Sequence, residues 1–139
     1  MKTHSTNYNN ALIEVAADSI IAKGTKPPSN SEILSVASIQ YELMSKHPYE
    51  YTSDDVVFLT FAYKNDLIER EMTAARAQFF SKGQPCLRCS PLCKRYGWGI
   101  HHNQEGKIAL VDVGSEKYQQ LIADPTIEKI KAMRTSRKK

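Results

Sequence analysis

Two runs of strand-forming residues, Tyr96 to His102 and Lys107 to Val113, flank the polar connection Asn103-Gln104-Glu105-Gly106. Such a pattern predicts a β-hairpin, because a glycine at the end of a short loop supplies the backbone freedom that reverses the chain. A hairpin alone is marginal in water and needs further elements to cover it. Ala11 to Ala17 (ALIEVAA) alternates enough to predict a further strand, with Ile13 and Val15 on one face. The polar residues 1 to 9 before it read as a frayed end.

Helical periodicity fills most of the remainder. Ile33, Val36, Ala37, Tyr41 and Met44 recur at steps of three and four, which predicts an amphipathic helix over Glu32 to Ser45. Ser29, Asn30 or Ser31 is its expected cap, and His47-Pro48 its end, because proline restricts the residue before it. The run VVFLTFAY, residues 56 to 63, has strand composition. Thr52-Ser53-Asp54-Asp55 before it is a helix start, with a hydroxyl acceptor and carboxylates for the free N–H groups, so a buried helix over Asp54 to Lys64 is favoured. A third helix is expected from Glu69 to Ser81, closed by Gly83 in the C′ position. Pro85 and Pro91 argue for an extended or looped connection over residues 84 to 93. Ser115 starts a helix running to about Ala123, and Pro125 starts a last one with Ile127, Ile130 and Met133 on its apolar side.

Together these elements predict an α+β fold: a small antiparallel sheet, built from the N-terminal strand and the hairpin, against four or five helices. A length of 139 residues suits one domain. Its expected extent is residues 1 to 134, followed by a basic tail at 135 to 139.

Charge placement says more than the net +4. The last eleven residues carry six bases and no acid, so the body of the chain is mildly acidic, at −2. Between Glu71 and Glu105 there is no carboxylate side chain, while Arg76, Lys82, Arg88, Lys94 and Arg95 fall in that gap. Convergent cations there would favour an anion. No apolar run approaches the ~18 residues a membrane span needs, and no secretory leader is expected. Three cysteines, an odd number, point to reduced thiols in a cytoplasmic setting, with disulfides the weaker reading.

The phrases YEYTSDDVVF (49–58), FFSKGQPC (79–86), KRYGWGIHH (94–102), GKIAL (106–110) and DPTIEKIKAMR (124–134) stand in order along the chain. In that combination the sequence resembles a family of small bacterial proteins characterised only as a domain of unknown function, from about Ile13 to Arg134. The resemblance implies no activity, cofactor or partner. In that family the positions matching Cys89 and Cys93 are often small or hydroxyl residues. A site needing all three thiols is therefore not implied, whereas Cys86 and KRYGWGIH follow the pattern.

Most chemistry-bearing residues crowd between Gly83 and His102. Lys94, Arg95, Tyr96, Trp98 and His101 combine cations, hydrogen-bond donors and aromatic surface, the ingredients for holding a nucleotide, a phosphate compound or single-stranded nucleic acid. Gly97 and Gly99 would leave one side of that strand bare for close approach. The competing reading makes Tyr96 and Trp98 core residues and leaves Lys94 and Arg95 solvated. Cys86-x₂-Cys89 has the spacing of half a zinc site, and Cys93 with His101 or His102 could complete a tetrahedron. That second half is irregular, and adjacent strand histidines point to opposite faces, so zinc is not favoured. Cys86 beside His101 would also make a thiol nucleophile. The basic C-terminus adds phosphate contacts or merely solubility. Asp54 and Asp55 read as helix-start residues. Phosphate-binding glycine loops, HExxH and GxSxG are absent from the sequence. The expected function is a binding domain for an anionic ligand, with a zinc- or cysteine-dependent enzyme and a regulatory protein-interaction domain as the alternatives.

Overall fold

A computed structural model describes residues 3–28 and 35–134. Its centre is a four-stranded mixed sheet of β1 (Ala11–Glu14), β2 (Trp98–His102), β3 (Ile108–Asp112) and β4 (Glu128–Lys131), in the order β3-β2-β1-β4. The hairpin forms as expected, with Ile100 opposite Leu110. Asn103 holds the connection by accepting the Glu105 and Lys107 N–H groups on its Oδ1, each at 2.9 Å. Gly106 supplies the positive φ, +80°. β1 pairs antiparallel with β2, placing Ile13 beside Ile100.

Five helices accompany the sheet among the described residues: α1 (Val36–Lys46), α2 (Ser53–Lys64), α3 (Glu69–Phe79), α4 (Pro91–Arg95) and α5 (Glu116–Ala123). One sheet face, with Ile13, Ile100 and Ile108, is covered by Ile39, Leu43 and Met44 of α1, Val56 of α2 and Leu92 of α4. The other, with Leu12 and Val111, is covered by Tyr118 and Leu121 of α5. Period-2 alternation along β1 thus sends Leu12 and Ile13 into different clusters.

The ambiguous run 56 to 63 is helical because its start is capped from both sides. Thr52 Oγ1 accepts the Asp55 N–H at 3.1 Å, and Asp55 Oδ2 accepts the Thr52 N–H at 2.9 Å. Both are donors that a helix leaves unpaired at its first turn. Ser35 is the N-cap of α1, its hydroxyl accepting the Ser38 N–H; the start expected at Glu32 lies outside the described residues. The caps expected at Ser29, Asn30 or Ser31 lie outside the described residues.

Five expectations are corrected. The last helix is instead β4, running parallel to β1 with Ala11 beside Glu128 and Ile13 beside Ile130. Asp124 Oδ1 takes the N–H and hydroxyl of Thr126, at 2.8 and 2.6 Å, which turns the chain after α5 and delivers it to the free edge of β1. The sheet is therefore mixed rather than purely antiparallel. Residues 84 to 93 are not simply extended: Leu87–Cys89 form one turn of 3₁₀ helix, and Ser90-Pro91 act as N-cap and first residue of α4. Gly83 is not a left-handed C′ residue, because α3 ends at Phe80 and only Gly97 and Gly106 among the glycines have positive φ. Residues 3 to 9 are docked rather than frayed. The His4 N–H donates to the Phe80 carbonyl at 2.9 Å, and the Thr6 N–H and hydroxyl both donate to Asp54 Oδ1.

Candidate functional site

Strand alternation decides which of the candidate side chains meet. Trp98, Ile100 and His102 lie on the α1 side of β2, and Gly99 and His101 on the α5 side. Trp98 and His101 consequently cannot share one ligand, and the five-residue constellation divides into three places.

The Trp98 indole is a clamp. Its Nε1–H donates to the Thr25 carbonyl at 2.8 Å, and its ring lies 5.8 Å from that of Tyr41. A Cβ on Gly24 would stand 2.8 Å from the indole, so the loop lies flat against it. The Tyr96 carbonyl accepts the Thr25 N–H at 2.8 Å, and Asp112 Oδ1 accepts the Gly24 N–H at 2.6 Å. The glycine-bared surface is likewise filled by the chain itself. A Cβ on Gly97, whose φ is +78°, would come within 2.5 Å of the Lys23 carbonyl oxygen, and one on Gly99 within 2.7 Å of the Tyr118 ring.

Lys94 and Arg95, in the last turn of α4, border a shallow concavity of about 390 Å³ with Asp18, Ser19, Ile20 and Ile21. They adjoin neither His101 nor the exposed face of an aromatic ring in that concavity.

His101 has partners that no sequence pattern joins to it. Its Nδ1 lies 2.8 Å from the Tyr49 hydroxyl, which in turn accepts a hydrogen bond from Lys117 Nζ at 2.9 Å. The ammonium also sits 5.0 Å from the centre of the Tyr49 ring, a cation–π distance. Among the described residues no carboxylate stands within ion-pair distance of Lys117. Burial, then the Lys117 charge, lowers the His101 pKa, so the ring is neutral at pH 7. A neutral ring whose Nδ1 accepts from Tyr49 carries its proton on Nε2, giving the sequence Lys117 to Tyr49 to His101 one donor direction. Tyr49 is held in the left-handed region, φ +59°, while its N–H donates to the Ile108 carbonyl at 2.8 Å. That conformation costs a non-glycine residue of order 1 kcal/mol and persists only where surrounding structure enforces it.

The thiols do not gather around a metal. Cys86 is half-buried, Cys89 exposed and Cys93 buried, and all three are free. Cys93 belongs to the cluster on the α1 side, whereas His101 faces α5. Among the described residues no group of three or more His, Cys, Asp or Glu side chains is placed to hold a metal ion. Cys86, Cys89, Cys93 and His101 are therefore not a ligand set in this arrangement, and the Cys86–His101 nucleophile pair is not formed. Cys86 instead lies 3.6 Å from the Tyr8 hydroxyl. His102 is the histidine on that side: its ring is fully buried, 5.5 Å from Tyr8 and edge-on to it. Its Nδ1 lies 3.2 Å from the Ile100 carbonyl and its Nε2 has no hydrogen-bond partner among the described residues. Burial lowers its pKa to about 4.

Asp54 and Asp55 do have structural work, as expected. Asp54 receives Ser5 and Thr6, while Asp55 caps α2 and pairs with Arg76 at 2.9 Å. Burial pulls the Asp55 carboxyl upward, but the Thr52 N–H and the Arg76 guanidinium outweigh it and leave the pKa below its ordinary value. No helix among the described residues is long and apolar enough to cross a membrane.

The fold defines an α+β protein with a mixed sheet covered on both faces. The chain belongs to a family of unknown function, DUF6157, whose model matches residues 3–138. Comparison with curated proteins finds no match, and neither does comparison with solved structures.

Proposed function

We propose that this chain is a binding domain for a small anionic ligand, contacted by Lys117, Tyr49 and His101. The observation that carries the reading is the Lys117–Tyr49–His101 chain of hydrogen bonds, ending in an ammonium without a carboxylate partner among the described residues. An ammonium held by a phenol oxygen keeps donors free for a phosphate or carboxylate oxygen, and the His101 Nε2–H adds a neutral donor. Lys94 and Arg95 are the rival anion contact. Three free thiols fit a reducing, cytoplasmic compartment for this domain.

The test is titration of the isotope-labelled protein with inorganic phosphate, pyrophosphate, a nucleoside monophosphate and a short single-stranded RNA, read by amide and imidazole NMR shifts. Binding of a small anion, with shifts centred on Tyr49, His101 and Lys117, is expected by about 1 mM ligand, and Lys117→Ala should weaken it about tenfold. Added salt should weaken it too, because the site is exposed. Shifts centred on Lys94 and Arg95, binding of RNA alone, or no response to any probe would refute the assignment.

A further inference from the structure

Cys86 and Cys89 share one cleft, from which Cys93 is shut out. The cleft, of about 330 Å³, is bordered by both thiol residues and walled by Phe61 and Phe79. Cys93 is completely buried in the core, outside the cleft lining, although near enough for the Cys86 thiol to act on it. Between the two cleft cysteines the chain makes a single 3₁₀ turn, closed by the Cys89 N–H donating to the Cys86 carbonyl at 3.1 Å. Cys86 thus immediately precedes the turn, and Cys89 is its third residue.

At the start of α2 the same two positions are held by Thr52 and Asp55, whose side chains reach each other's backbone N–H groups. The leading residues have nearly the same backbone angles: φ −80°, ψ 179° at Cys86 and φ −85°, ψ 169° at Thr52. Side chains at these positions therefore emerge on the same side of their turn. Residues that close a four-residue turn have Cα atoms within about 7 Å, and a disulfide spans about 4.4–6.8 Å between Cα atoms.

The turn is also held in place. Leu87 is buried, Arg88 Nε donates to the Lys131 carbonyl at 2.7 Å, and the Arg88 carbonyl accepts the Met133 N–H at 2.8 Å. Tyr8 can serve Cys86 as a hydrogen-bond donor across their 3.6 Å separation, because burial and the neighbouring thiol raise its pKa and keep its hydroxyl protonated. Burial raises the Cys93 thiol pKa and keeps it unreactive.

We propose that Cys86 and Cys89 are a redox pair that closes reversibly into an intramolecular disulfide by reaction with a low-molecular-weight disulfide. The Cys89 thiolate, the more exposed, attacks one sulfur of the small disulfide and releases the first small thiolate, which takes a proton. Cys86, having lost its proton to solvent, attacks the Cys89 sulfur and releases the second. Two protein thiols lose two electrons in total, and one small disulfide becomes two thiols. Excess small thiol reverses both steps. The inference does not depend on the anion site, which lies on the other face of the sheet.

Oxidised glutathione is the probe. The reduced full chain is equilibrated with it, quenched with an alkylating agent in denaturant so that Cys93 also reacts, and analysed by intact mass and peptide mapping. Wild type should lose two of its three alkylation sites, carry no glutathione, show a Cys86–Cys89 link, and recover all three sites after dithiothreitol. Cys93→Ser should close equally well, and Cys86→Ser should accumulate glutathione on Cys89, since nothing remains to resolve it. A wild type that keeps three alkylated thiols, holds a stable glutathione adduct, or links through Cys93 overturns the proposal.

Discussion

His102 should make the protein acid-sensitive at a pH where its carboxylates are still ionised. The ring is fully buried, Nε2 has no hydrogen-bond partner among the described residues, and its pKa falls from 6.5 to about 4 on folding. Below 6.5 the unfolded chain takes up a proton at this residue that the folded chain refuses until about pH 4. Stability is therefore lost as pH falls through that window, with a limiting slope of about 1.4 kcal/mol per pH unit. Integrated with these two values, the loss from His102 is about 2 kcal/mol at pH 5 and about 3 kcal/mol at pH 4. Both are a large part of a typical domain stability of about 5–15 kcal/mol. His101, whose pKa is also lowered, acts in the same direction. The contribution of His102 is isolated by His102→Phe, which keeps an aromatic edge against Tyr8 and removes the titrating nitrogen. Urea unfolding of both proteins at about pH 7.5 and about pH 5 is the assay, and wild type should lose about 2 kcal/mol more than the variant between them. Equal losses would refute the reasoning. So would an imidazole NMR titration that placed the folded pKa of His102 near 6.5.

Two further expectations follow from packing and capping. Gly99→Ala puts a methyl 2.7 Å from the Tyr118 ring and 3.1 Å from the Ile13 carbonyl, and Tyr118 is fixed because its hydroxyl accepts the Val15 N–H. The cost should be about 1–3 kcal/mol, seen as a lower urea midpoint with an unchanged slope; a neutral result would mean that α5 yields at little cost. Asp55→Asn weakens both the cap of α2 and the Arg76 pair, and should cost about 1 kcal/mol at neutral pH. Because the folded Asp55 pKa lies below the unfolded one, its ionised form stabilises above the unfolded value, and that contribution is lost as pH falls through the folded value. Denaturation curves of the two proteins should therefore converge in strong acid, and a gap that stayed constant with pH would contradict this account.

Features that rest on neighbours in sequence were legible. Thr52 and Asp55 overrode the strand composition of residues 56 to 63 because capping acts within one turn. Asn103 and Gly106 fixed the hairpin for the same reason. That adjacent histidines would part also followed from alternation alone. The identity of the fourth strand did not. Ile127, Ile130 and Met133 satisfy a helical period, yet Glu128–Lys131 completes the sheet because β1 offers an unpaired edge and Glu14 meets Lys131, 117 residues away in sequence. The candidate site failed in the same way. Lys94 to His101 looked like one constellation because the residues are consecutive, but the strand sends Trp98 and His101 to opposite layers.

The sequence by itself determined the class of fold, most helix starts, the hairpin, the charge asymmetry, and the short spacing of Cys86 and Cys89. Tertiary structure alone decided that Tyr49 and Lys117, 68 residues apart, meet at His101. It also decided that His102 is sealed with its Nε2 unpartnered among the described residues while Cys93 is buried outside the cleft lining. The division has a physical cause: caps and turns are satisfied by atoms a few residues away, whereas strand pairing and polar contacts between layers depend on which distant edges and faces remain unfilled after the chain has folded.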